Sequence, residues 1–245
     1  RGLHWLVIEN QTVPVVEGGS QNVYSQLTTY YLPDFGGYVL AGLAVAAIVA
    51  STLGARKRRQ SHGFPVGDGE IDPFSLTGPR LSKPLVIAVQ GRCYTWGWEL
   101  LLNTDLRIAA TDTRFAMLEV RRGFYACGGA TLRLPTEIGW ANAQRYLLTG
   151  DELGAEDAYR LGLVQQLCAP GEQLDAALAL AQRVAKAAPL GVQGSLRSSR
   201  LRMLEGEAAA IGPMFRGMAE VMRSEDAAEG VRSFVERREA VFRGR

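Results

Sequence analysis

A chain of 245 residues with 47% apolar and 21% charged side chains has the means to bury a core, which excludes a disordered protein. The formal charge of +2 leaves no basic face beyond one run, Arg56-Lys57-Arg58-Arg59, and argues against a nucleic-acid partner for the remainder. Cys93, Cys127 and Cys168 stand far apart and His4 and His62 both precede residue 71, so disulfide frameworks, zinc sites and imidazole-driven nucleophiles are excluded from the C-terminal part and carboxylates remain as its acid/base groups.

In chain order, residues 1–34 are rich in Val, Thr, Gln, Asn and Tyr without a clear period, and yield no structural assignment. Phe35 to Ala55 contain no charge and lead directly into the basic run at 56–59. That length and flank predict a transmembrane helix over 35–55 with its basic end in the cytoplasm; the alternative is an Ala-rich helix inside a soluble protein. Residues 1–65 thus resemble a piece of a bacterial ABC-type sugar permease, an outer loop followed by one span and a basic inner loop. Residues 60–84 are dense in Gly, Pro and Ser, and read as a linker.

The pattern then changes. Leu85 to Val89 is a buried strand, Trp98 to Leu102 a short apolar helix, and Leu106 to Ala110 a second strand, an alternation that implies a parallel sheet covered by helices. Phe115 to Val120 reads as a further extended piece, followed by Gly128-Gly129. Helices are predicted from Ala141 to Leu148, from Gly154 to near Gly162 and from Glu172 onward, with Leu163 to Leu167 as a strand between them. Pro189, Gly206 and Ser224 separate three further amphipathic segments. The boundaries are 85–188 for an α/β core and 189–245 for a helical region.

Five stretches in order resemble the signatures of the enoyl-CoA hydratase, or crotonase, family: Lys83 to Gly91 with Gly97-Trp98-Glu99-Leu100; Asp105 to Ala109; Phe115 to Gly123 with Gly128 to Leu134; Leu147 to Asp151 with Ala155 to Ala158; and Ser224 to Phe242. The resemblance extends over residues 72–245. The resemblance implies an α/β fold, a spiral of stacked ββα turns with a C-terminal helical trimerisation region. It also implies an acyl-CoA thioester as substrate, with no cofactor besides the coenzyme A that the substrate carries. The paired glutamates of the family fall on Glu99 and Glu119, and the helix-borne oxyanion N–H falls on Trp96 between Thr95 and Gly97. Phe234 and Arg237 match positions that meet the CoA adenine from a neighbouring subunit.

The residues themselves admit plainer readings. A glutamate in a first helical turn is favoured by the helix dipole whatever its role, Cys93 suits packing better than nucleophilic attack, and Phe234 with Arg237 could be one face of an amphipathic helix. Thr95-Trp96-Gly97-Trp98 also replaces the family's usual glycine run, so that Trp96 and Trp98 would narrow the acyl pocket. The family's first turns, with the other oxyanion donor, find no counterpart in residues 1–65, which makes the spiral incomplete on its N-terminal side. Two functions follow: an enoyl-CoA hydratase or isomerase with a cytoplasmic catalytic part tethered to a membrane, or an inactive member of the fold serving as a membrane-tethered or interaction module.

Overall fold

The structure, a computed structural model, describes residues 71–245 and, ahead of them, the backbone of two strands, Val7–Gln11 (β1) and Gln26–Tyr30 (β2). The helix expected over 35–55 lies outside the described residues. Among the described residues no helix is long and apolar enough to cross a membrane.

The chain divides into two compact units, one of which contains residues 6–80 and 85–178. Its framework is a repeat in which a strand enters one sheet, turns a corner into a second sheet, and leaves through a helix. Val86–Val89 (β3), Arg92–Tyr94 (β4) and Trp96–Leu102 (α1) make the first such turn. Leu106–Ala110 (β5) and Arg114–Ala116 (β6) start the second, which continues into a 3₁₀ turn at Glu119–Arg122. The sequence supports this directly, since all four residues of β3 are buried and an apolar strand covered on both faces belongs in a parallel sheet. β3 pairs parallel with β5, Val86 opposite Leu106, and β4 pairs parallel with β6, Arg92 opposite Arg114.

The larger sheet runs β2-β1-β3-β5-β8, where β8 is Gln166–Cys168, and the smaller runs β4-β6-β7, where β7 is Leu153–Gly154. β1 lies parallel to β3 and antiparallel to β2, so residues that gave no assignment from sequence supply the far side of the main sheet. The helices of this unit are Ala130–Ile138 (α2), Trp140–Thr149 (α3) and Ala155–Arg160 (α4). The core gathers Ile87, Val89, Leu101, Phe115, Met117, Leu134, Tyr146 and Leu153 around Trp98, whose ring packs against Phe115 and Tyr146 with centroids 5.5 and 6.2 Å away.

Arg107 is also buried there. Its guanidinium meets both oxygens of Glu137 at 3.0 and 3.1 Å and the carbonyls of Thr104, Leu102 and Leu163, so the charge is paired and its donors occupied, the condition on which a core accepts an arginine. Three sequence expectations are corrected in this unit. The extended piece at 115–120 ends at Ala116, because Gly123 at φ 89° closes a 3₁₀ turn onto Glu119 instead of letting the strand run on. A helix missed by the sequence reading follows Gly129, and the strand placed at 163–167 begins only at Gln166.

The second unit holds residues 81–84 and 179–245, so 81–84 is more than linker and the division falls within Gln173–Ala185 (α5), not at residue 188. Pro189–Glu205 (α6), Glu207–Val221 (α7) and Glu225–Glu236 (α8) are bounded by the breakers read from sequence: Pro189 in the first turn, Gly206 at φ 88°, and Ser224, whose Oγ accepts the Ala227 N–H at 3.1 Å. α6 is not amphipathic as expected, for its apolar residues are spread around the axis and none is fully buried. α8 is amphipathic, but the side that is covered is polar. Asp226, Glu229 and Ser233 are buried while Val231, Phe234 and Val235 are exposed. The buried carboxylates hold the last residues: Asp226 accepts the N–H groups of Arg243 and Gly244, and Glu229 binds Arg238 and the Val241 N–H.

Candidate active site

Glu99 is placed by two helix beginnings. It lies in the first turn of α1, whose N-cap Thr95 has φ 51° and ψ −116°, a conformation unfavourable for a branched residue and held by the Thr95 N–H donating to the Ala116 carbonyl at 2.8 Å. The carboxyl then reaches the start of α2, where the first amide, that of Ala130, donates to Oε1 at 3.0 Å. Oε2 is buried without a hydrogen-bond partner in the protein. The close approach depends on Gly128, because a Cβ there would lie 2.6 Å from Oε2 and 2.9 Å from the ring of Phe74.

Burial and the charge of Glu119 push the Glu99 carboxyl up to about 7, against the opposing pull of the Ala130 amide, the Gly128 backbone and Arg133. Glu99 is 0% exposed and Glu119 only 3%. Glu119 opens the 3₁₀ turn, both its oxygens are buried without a partner in the protein, and burial raises its carboxyl above the ordinary range. Three of the four carboxyl oxygens of this pair are therefore free to act on something else. Two buried carboxyls that repel one another hold a proton near neutral pH, which is what a group that must both accept and give a proton requires.

Around this pair the structure adds residues that sequence reasoning missed. The Cys127 thiol, immediately before the glycine pair, is pushed up by burial and by the charges of both glutamates. Arg133, one turn into α2, also acts on Glu99. Their signal was the Gly128-Gly129-Ala130 run, which marks a backbone approached closely by another group. Cys93, in contrast, is fully buried, its thiol raised by desolvation, as a packing residue.

Trp96 opens α1 with its ring edge-on to Phe74 at 5.4 Å. Trp98 does not line a pocket with it but fills the core. Gly97 lies inside α1, and a Cβ there would meet only Cys93 Sγ, at an ordinary 3.7 Å. Phe234 and Arg237 belong to the helical unit, where Phe234 is 84% exposed and Arg237 ends α8 at φ 52°. Among the described residues no group of three His, Cys, Asp or Glu could hold a metal ion.

A family model for Enoyl-CoA hydratase/isomerase matches residues 78–245. The chain is 36% identical over 216 residues to Enoyl-CoA hydratase EchA19 of Mycobacterium tuberculosis, covering 87% of this chain and 79% of that protein. Residues 66–245 alone could not supply that share, so the similarity reaches into the first 65 residues, where the sequence reading found no counterpart. Carnitinyl-CoA dehydratase of Salmonella agona is 32% identical over 186 residues, covering 73% of this chain and 71% of the relative. Among solved structures, a probable enoyl-CoA hydratase/isomerase from Mycobacterium abscessus superposes with a TM-score of 0.75 at 42% identity, covering 81% of this chain and 75% of the other.

Proposed function

Because the chain belongs to the enoyl-CoA hydratase/isomerase family, we propose that it adds water across the 2,3-double bond of an enoyl-CoA thioester, with Glu99 and Glu119 as the acid/base pair. The observation that carries this reading is the pair itself: two buried carboxyls with three unpartnered oxygens, one of them poised near neutral pH.

Hydration requires a proton to leave water as its oxygen attacks the β-carbon and a proton to reach the α-carbon, while negative charge gathers on the thioester oxygen. A carboxyl pair that shares one proton can supply both transfers. The Trp96 N–H is the proposed donor to the developing oxyanion, a role commonly worth about 2.7–4 kcal/mol. Thr95 and Gly97 shape the approach to it. Phe234 and Arg237 are proposed to contact the CoA portion from a neighbouring subunit of a trimer. Self-association is supported by the exposed apolar stripe of Ile211, Met214, Phe215, Met218 and Met222 on α7 and its extension.

The test is hydration of crotonyl-CoA by the purified chain, followed through loss of the conjugated-thioester absorbance, with sedimentation in parallel. Turnover that is lost in Glu99→Gln upholds the reading. An intact, folded chain with no turnover on short or long enoyl-CoA thioesters would leave the fold as an interaction module.

A further inference from the structure

Residues 71–78 form a loop closed by its own carboxylate. Asp72, buried, accepts the N–H groups of Phe74, Leu76 and Thr77 at 2.9, 2.8 and 3.0 Å. Two helices grip it. From the end of α1, Asn103 Nδ2 donates to the Pro73 carbonyl at 2.6 Å and to Ser75 Oγ at 3.1 Å. From α2, Arg133 Nη2 donates to the Phe74 carbonyl at 2.5 Å and the Ser75 carbonyl at 3.4 Å. The ring of Phe74 is thereby buried edge-on to Trp96.

Arg133 does more than hold this loop. Its Nη1 is buried without a hydrogen-bond partner in the protein, and a Cβ on Gly129 would lie 2.9 Å from it. The preceding glycine bears the Glu99 carboxyl in the same way. Of the two adjacent glycines, one is thus approached closely by the Glu99 carboxyl and the next by the Arg133 guanidinium. We propose that Arg133 is a positioning residue of the acid/base site: it locks the 71–78 loop and Phe74 against Trp96, and it holds a fixed cation near Glu99 that favours the ionised form of that carboxyl. The proposal rests on the reading of Glu99 as an acid/base group.

The charges facing each partner agree with this. Burial raises the Glu99 carboxyl most and Glu119 from the 3₁₀ turn adds to the rise, while the Ala130 and Gly128 backbone and, less strongly, Arg133 from α2 draw it down. Arg133 is disfavoured as a cation first by burial and also by Arg80, just past the loop, and Arg107 from β5, and is attracted by Asp72 and Glu99. An arginine keeps its charge in such a place where a lysine would surrender it more readily.

The experiment follows the Glu99 carboxyl directly, in the full chain labelled with ¹³C at glutamate carboxyls and titrated by NMR, Glu99→Gln identifying the signal; the pH profile of kcat/KM is recorded alongside. Arg133→Gln keeps a donor for the loop carbonyls but removes the cation, and should raise the Glu99 midpoint by up to about one unit. Arg133→Lys should return it most of the way. Asn103→Ala loosens the same loop without altering charge, and should slow turnover while leaving the midpoint in place. Arg133→Met gives the same neutral comparison if the glutamine variant does not fold. A midpoint unmoved by loss of the cation overturns the proposal. A midpoint that shifts in a chain that hydrates nothing upholds the coupling of Arg133 to Glu99 and overturns the hydratase reading instead.

Discussion

Glu99 and Ala130 stand 31 positions apart and meet through one hydrogen bond, the Ala130 amide to Glu99 Oε1 at 3.0 Å, which ties the first turn of one helix to the first residue of another. That bond occupies one carboxyl oxygen and leaves the other without a partner in the protein. If Glu99 and Glu119 move protons in the transition state, Glu99→Gln and Glu119→Gln should each lower kcat by roughly 10²–10⁴-fold and leave CoA-thioester binding nearly unchanged. Steady-state kinetics with a binding titration separates the two. A strong effect from only one substitution would point to double-bond isomerisation, in which a single base can carry the proton.

Stability should carry the mark of the same carboxyl. Its folded value of about 7 stands above the ordinary 4.5, so the folded chain holds a proton that the unfolded chain releases. That contribution is complete below about 4.5 and is lost as pH rises through about 7. Glu99→Gln removes the penalty, and should stabilise the protein more at pH 8 than at pH 5, by up to about 3 kcal/mol. Thermal unfolding at both pH values measures the difference.

Gly128→Ala tests the closeness of the backbone to the carboxyl. The added methyl would sit 2.6 Å from Glu99 Oε2 and 2.9 Å from Phe74, so both must give way. Overpacking of this kind costs about 1–3 kcal/mol, and the displaced Glu99 should reduce kcat more than it raises KM. Retention of full activity would show that the carboxyl can move without consequence.

The Arg107–Glu137 pair offers a test of the framework away from the chemistry. Arg107→Met should destabilise the fold by about 3 kcal/mol or more, because the carbonyls of Leu102, Thr104 and Leu163 lose their donor along with Glu137. Denaturant unfolding reads this directly, and the pH dependence of turnover should be unaffected.

The parts legible in the sequence were those governed by local chemistry. Pro189, Gly206 and Ser224 act within one turn of themselves, so the three C-terminal helices could be bounded by inspection. The strand β3 announced itself by an unbroken apolar run, and β5 by an apolar run that only Arg107 interrupts. Glu99 and Glu119 could be singled out through motif resemblance, since neither spacing nor propensity says that two glutamates will be buried together. Arg133 was hidden because an arginine on a helix ordinarily faces water, and nothing near it in sequence shows the loop carbonyls it binds. The reversed polarity of α8 was hidden for a similar reason: its buried carboxylates are satisfied by residues 9 to 18 positions further on.

The parallel sheet also dictates an order of events when the chain folds. Val86 and its partner Leu106 are 20 residues apart, Ile108 and Gln166 are 58, and Val7 and Val86 are 79. Loop closure costs more entropy as the enclosed segment lengthens, so among these parallel pairings β3 with β5 is the cheapest, and the β5–β8 and β1–β3 pairings join a nucleus already formed. Substitutions at Ile87 or Ile108 should therefore slow folding, whereas those at Leu167 should chiefly hasten unfolding. The segment that carries Glu99 would then be built early, and the outermost strands would close the sheet last.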